Sequence, residues 1–363
     1  MKTLLLIGTH KGGFIAKSDG ARRVWTLAGP ILKGNEVNHV SPLGGDRIIV
    51  AGKSVWWGPA VQISEDWGQT CRDPLEAIRF DEGRGRSVER IWFVKADPRV
   101  LGRVYAGVDP AALFVSNDRG DTWHEIAALT DHPTRAKWFP GAGGLMVHSI
   151  VFDRSLPTRL TVGISSAGVF RSDDDGRSWA PKNNGLRADF LPAWAGAPAV
   201  KFPDVGQCVH HMEMHPQYSN VIYQQNHCGV YRSDDGGDTW SDISQGLPTR
   251  FGFALAVLPH AGDTIFIIPE EGSESRMTPD ARLGIYRSQN RGASWQLLTN
   301  GLPQSDAYVH VMRMAMATDA HETPGVYVGT QGGQILASRD GGDSWNVILN
   351  WLPPIYSIET VIV

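Results

Sequence analysis

The sequence predicts an all-β ring of seven blades, each a four-stranded antiparallel sheet, closed by pairing of the N- and C-terminal strands. Three observations predict it. One octet recurs at Ser18, Ser64, Ser116, Ser172, Ser233, Ser288 and Ser338, spaced 46, 52, 56, 61, 55 and 50 residues apart. Strand-like runs flank the copies, as VHHMEM, NVIYQQN and GVYRS precede SDDGGDTW and TWSDI follows from its last two residues. The ends are complementary: TLLLIG, GFIAKS and VWTLAG read as second, third and fourth strands, and PIYSIETVIV reads as the missing first. A repeated sheet that cannot bury both faces alone does so by radial stacking, which is a seven-bladed β-propeller forming one domain over residues 1–363.

The octet is a hairpin turn. Its copies read SEDWGQTC, SNDRGDTW, SDDDGRSW, SDDGGDTW, SQNRGASW and SRDGGDSW, with a worn copy SDGARRVW at Ser18. Asp at the third place bonds local backbone, Gly at the fifth adopts positive φ, and Trp at the eighth plugs the start of the next strand. Cys71 replaces that Trp in one copy and is expected to be packed inside.

Composition removes several function classes. The 363 residues carry 34 basic and 38 acidic side chains, net −4, so there is no electrostatic footprint for nucleic acid or an anionic membrane. The opening MKTLLLIGTHKGG breaks after one short apolar run, and no segment approaches the ~18 apolar residues of a membrane span, so a cytoplasmic protein is expected. Three cysteines cannot staple a chain this long. Cys208 and Cys228 fall close to each other across one hairpin, with free thiols favoured over a disulfide or soft-metal ligation.

The octets match the S-x-D-x-G-x-T-W pattern, and the chain resembles the Asp-box, or bacterial-neuraminidase-repeat, propellers of the sialidase-like group. That group includes sialidases, other glycoside hydrolases, sortilin-type receptors and a photosystem II assembly factor, so the resemblance implies fold and leaves activity open. The Arg-Ile-Pro motif of sialidases does not occur, and ILKGNEVNHVSPL stands where its arginine is expected. No sialidase catalytic residue is carried over, and a true sialidase is not expected.

The innermost strands carry the candidate chemistry. Aligned as VERIWF, VHSIVF, VHHMEM, FGFALA, VHVMRM and IETVIV, they place Glu89, His148, His210, Gly252, His310 and Glu359 at one register, with Asn38 beside His39 in the first blade. Equivalent positions of successive blades form a ring about the axis. Three imidazoles there, His148, His210 and His310, are candidate ligands for a divalent transition metal, Zn, Fe, Mn or Cu. Glu89 and Glu359 are further ligands or tautomer-fixing partners, and a solvated polar ring is the alternative.

The same rim collects the loops between second and third strands, which carry His10, Lys11, Lys53, Trp56, Asp109, His227, Glu270 and Gln331. Insertions at 131–144, 190–204 and 271–283 are polar, Pro/Gly-rich and long for hairpins. Trp138, Phe139 and Trp194 within them would roof the rim and stack on a flat ligand. The expected activity is metal-dependent hydrolase or lyase chemistry, with redox chemistry less favoured, on a small polar or carbohydrate-like substrate; Glu89, Glu359, Asp109 and Glu270 are the candidate acids and bases. A metal-free, sialidase-like glycoside hydrolase using rim carboxylates and a non-catalytic scaffold with a protein partner are the alternatives.

Overall fold

The computed structural model describes residues 1–190 and 200–363. Their strands form seven antiparallel sheets, six of four strands and one of three. The second blade runs through Arg90–Ala96, Val104–Asp109, Ala112–Ser116 and His124–Glu125, and the third to sixth blades follow the same inner-to-outer order. Ile355–Ile362 pairs with Thr3–Thr9, which continues outward to Gly12–Ser18 and Trp25–Ile31, so the two ends of the chain build the seventh blade together.

The first blade departs from four strands. Beyond Glu36–Pro42, Ile48–Ser54 and Gly58–Ser64 the fourth position is reduced to one isolated bridge, Ile63 to Arg72. Its octet ends in Cys71, which is exposed and not packed inside as expected. Without the Trp plug no outer strand is anchored there.

The octets fold as the residue pattern requires. In six copies the serine Oγ accepts the amide of the fifth-place glycine at 2.7–2.8 Å. The third-place Asp accepts the seventh-place amide and hydroxyl, as Thr239 N donates to Asp235 Oδ1 at 2.9 Å and Thr239 Oγ1 to Oδ2 at 2.6 Å. Gly120 shows why no other residue serves at the fifth place: its φ is +95°, and a Cβ there would sit 2.7 Å from Ile49 of the preceding blade. The turn therefore also sets how closely neighbouring blades approach.

Inner strands are buried on both faces, so they read as continuous apolar runs. All seven residues of Thr3–Thr9 and all six of Val147–Phe152 are buried. Four consecutive inner strands also carry a bulge at the same place. Register steps from Val37 to His39, Ile91 to Phe93, Val147 to Ser149 and Val209 to His211 while the partner advances one residue. The residues left over are Asn38, Trp92, His148 and His210, and such extra residues are re-aimed by the local bend.

This register corrects the expected ring. His148 and His210 occupy equivalent positions, but in the second blade Trp92 stands there and Glu89 lies before the strand. In the sixth blade the inner strand is Met316–Thr318, so residues 309–314, read as that strand, precede it. In the seventh the bulge falls at Tyr356, since Gly8 pairs with Ser357 and Thr9 with Ile355, leaving Glu359 three residues deeper.

The octet aspartates give the fold an acid limit. Hydrogen bonds from the Ser178 hydroxyl and amide hold Asp174 down to about 2, and the Thr70 amide holds Asp66 below the ordinary range. Groups depressed in the folded state stabilise it above their unfolded pKa, ~3.9, and lose that contribution as pH falls through the folded value. Asp235→Ala is expected to cost about 1 kcal/mol in urea denaturation at pH 7, and Asp235→Asn less, because Asn290 already accepts the Ser294 amide at 2.9 Å in the fifth blade.

Candidate active site at the channel mouth

Two spaces lie along the axis. The inner one, about 180 Å³, is lined by His39, Lys95, His148, His211, Glu213 and Glu359. Both of its glutamates are engaged by histidines: His39 Nε2 lies 3.1 Å from Glu359 Oε1 and His211 Nε2 lies 3.0 Å from Glu213 Oε1. Burial would raise both glutamates, but Lys95 and the partner histidines hold them below the ordinary range. Glu359 is thus engaged by His39 in the inner space, away from the mouth.

The second space, about 430 Å³, is the mouth itself, and its size suits a small-molecule site. Its wall combines Phe190, Phe251 and Phe253 with His210, His227, Cys208, Arg276 and Arg313, and loop residues 139–144 close one side. All three insertions reach it, through Phe139, Phe190 and Ser273 to Arg276. Trp194 lies outside the described residues.

The three expected metal ligands do not meet. His148 faces the inner space, with Nδ1 2.9 Å from Ser149 Oγ. His210 faces the mouth, its Nδ1 donating to Gly252 O at 2.5 Å. His310 is held by Glu270, whose carboxylate oxygens lie 2.9 and 3.0 Å from its Nδ1 and whose Oε1 also accepts the Val311 amide at 3.1 Å. Glu270 is fully buried in that arrangement, so it cannot serve the mouth as an acid or base.

Another donor set does assemble. Ligand atoms of Cys208, His210 and His227 lie within 4.8 Å of one another, the one such group among the described residues. Burial first, then arginine charge (Arg313 for His210, Arg276 for His227), keeps both imidazoles neutral, His227 down to about 4. Neutral imidazoles suit a metal, but Arg276 and Arg313 line the same cavity and neither forms an ion pair among the described residues. A divalent cation there would meet two positive charges fixed in the same cavity, which repel it. The donor set fits a metal poorly, and no step is built on one. Cys208 and Cys228 are both free thiols, and Cys228 is pushed up to about 12 by burial and Asp189.

The remaining expected rim residues divide sharply. Trp138 is 5% exposed, stacks on His132 and packs at a tilt against Phe170, so it belongs to the core and roofs nothing. Trp56 and Trp57 are each 81% exposed at a hairpin tip. Gln331 Nε2 donates to Ile355 O at 2.6 Å, a structural tie. His10, Lys11 and Lys53 do not line the cavity, the first two being exposed and the third half-buried.

Asp109 and Glu89 form the other carboxyl pair. Glu89 N donates to Asp109 O at 2.7 Å. Burial first, with Glu89 adding to it and Arg90 opposing, pushes the Asp109 carboxyl above the ordinary aspartate range. A Cβ placed on Gly144 of the cavity-lining loop would collide with Asp109 Oδ2, so this carboxyl stands directly behind the cavity wall.

No family model matches the chain. Its sequence relatives include a xyloglucanase. It is 27% identical over 263 residues to a probable oligoxyloglucan-reducing end-specific xyloglucanase of Neosartorya fischeri, covering 67% of this chain and 29% of that protein. The chain thus spans under a third of that relative. In structure it matches the GH74 xyloglucanase of Xanthomonas campestris with a TM-score of 0.66 at 20% identity, over 96% of this chain and 52% of that one. It also matches YCF48, solved bound to a D1 peptide, with a TM-score of 0.54 at 14% identity, over 86% and 81% of the two chains. These structural likenesses share the propeller fold and carry nothing further.

Sequence reasoning missed Trp92, Phe253, Arg276 and Arg313. The signal for Arg313 was present as a lone charge inside the apolar run VMRMAM. Trp138→Ala is expected to cost about 3–5 kcal/mol in chemical denaturation, whereas Trp56→Ala should stay within about 0.5 kcal/mol of wild type.

Proposed function

We propose that the protein is a glycoside hydrolase whose site is the channel mouth, with Asp109, directly behind the cavity wall, as proton donor and Glu89, exposed on the rim next to it, as base. The observation that carries this reading is the Asp109 carboxyl, half-buried behind the cavity wall, raised, and coupled to an ionisable neighbour. A carboxyl group held protonated beside a second carboxyl group is what glycosidic cleavage needs. Similarity in sequence to a xyloglucanase supports a saccharide as substrate.

In this mechanism protonated Asp109 donates to the glycosidic oxygen as the anomeric C–O bond breaks. Water attacks the anomeric carbon, and Glu89 takes its proton. The products are a reducing-end hemiacetal and a free alcohol, and the proton on Glu89 returns to solvent as Asp109 is reprotonated. The aromatic wall of Phe251 and Phe253 supplies apolar faces for a pyranose ring, and Trp56 and Trp57 offer a further platform beyond the mouth.

The pH dependence follows in sign. A raised Asp109 carboxyl stays protonated to higher pH than a free aspartate, so turnover of a soluble aryl glycoside should fall as pH rises through its pKa. Asp109→Asn should abolish turnover and, because a raised pKa makes the ionised form costly, should raise the melting temperature at pH 7 but not near pH 3. Retained activity in Asp109→Asn would remove the proposal. Trp56→Ala combined with Trp57→Ala should raise KM several-fold on oligosaccharides and leave kcat on the aryl glycoside unchanged.

A further inference from the structure

Buried arginines in this protein come with carboxylates. Among the described residues five arginines are buried. Arg22 pairs with Asp319 at 2.9 Å, Arg47 with Glu65 at 2.5 Å, Arg171 with Asp238 at 3.1 Å and Arg287 with Asp343 at 2.8 Å. Arg313 is the exception. It is 7% exposed, its Nη1 reaches only the Met146 sulfur at 3.6 Å, and its Nε has no partner. A guanidinium keeps its proton at any pH at which the protein functions, so this charge cannot be relieved by neutralisation.

A second guanidinium comes to the same place. Arg276 stands 5.6 Å from the centre of the Phe253 ring and Arg313 stands 5.5 Å from it, while Arg313 also lies 5.0 Å from the Trp92 ring. Arg276 donates its Nε to Ser273 O at 3.0 Å and forms no ion pair among the described residues. Both line the mouth cavity, where Glu274, exposed to solvent, is the one acidic residue in the wall. Rigid aromatic rings fix both forks, and such fixed forks match planar anions in a bidentate way.

Resting on the reading of the mouth as a saccharide site, we propose that its ligand is a sugar acid whose carboxylate is the missing partner of Arg313 and Arg276. Two guanidiniums saturate the two oxygens of a planar carboxylate, the anionic group that a sugar ring itself can carry. Phe253 and Phe251 then meet the apolar face of the ring that carries the carboxylate. The neutral state of His210 and His227 fits this assignment, because they add hydrogen-bonding capacity without competing charge.

The test compares calorimetric binding of trigalacturonate, its carboxyl-reduced galactose trimer and inorganic phosphate to the full chain. Trigalacturonate is expected to bind, to weaken with added salt, and to bind at least tenfold more tightly than the reduced trimer. Arg313→Met and Arg276→Met should each weaken it roughly ten- to hundredfold. Arg313→Met should also melt higher than wild type without ligand, since it removes an uncompensated buried charge; a purely structural arginine would give the opposite shift. Arg276→Met, at a half-exposed position, keeps the test decisive if the other variant misfolds. Equal binding of both trimers with no change in either variant overturns the sugar-acid assignment and leaves the saccharide reading standing. Tighter binding of phosphate than of trigalacturonate overturns it too. Trigalacturonate bound but never cleaved supports the ligand class and sinks the hydrolase reading alone.

Discussion

Burial of every blade on both faces is the constraint from which the rest follows. A sheet sandwiched between two neighbours buries a polar side chain only when it finds a partner, as Arg171 and Arg287 do, so groups free to meet a ligand are left to the axis and its rim. The bulge repeated at Asn38, Trp92, His148 and His210 turns that edge to use, because the extra residue leaves the ladder. The axis is then divided by charge. The inner space holds two close His–Glu contacts, and the mouth holds two arginines that form no ion pair among the described residues.

The octets explain why so much of the architecture was legible. Ser, Asp, Gly and Trp at fixed offsets each perform a separate local task, and those tasks need no knowledge of the remainder of the chain. Blade number, strand order and closure of the ring by Thr3–Thr9 with Ile355–Ile362 could therefore be read from residues alone. The first blade shows the converse, since the copy that lost its Trp also lost its outer strand.

Site residues were legible only in part. His148 and His210 share one register, the bulge position of their strands, yet they face different spaces along the axis. Glu89, His310 and Glu359 were misplaced by three or more residues: a bulge or an irregular approach shifts register without leaving a mark in the hydrophobic pattern, and a slip of one residue reverses which face a side chain takes. His310 illustrates the cost. Its sequence context, VHVM, repeats that of His210, yet it lies before its strand and binds Glu270 instead of facing the axis. Asp109 and His227 survived as rim residues because they end or follow second strands, where turn position and not strand register decides location.

The two groups that stand out at the mouth are both thermodynamically unfavourable as they are. An aspartate raised by burial and an arginine without a counter-ion each make the free protein less stable than apolar replacements of similar volume would. Four other buried arginines in the same chain acquired carboxylates, so the fold can supply one where a partner is needed. Around Arg313 it supplies Trp92, Phe253 and Met146 instead, groups that hold the guanidinium in place without quenching it. A charge that is positioned but left uncompensated keeps its interaction energy for whatever enters the cavity, and this is what separates a binding group from a structural one.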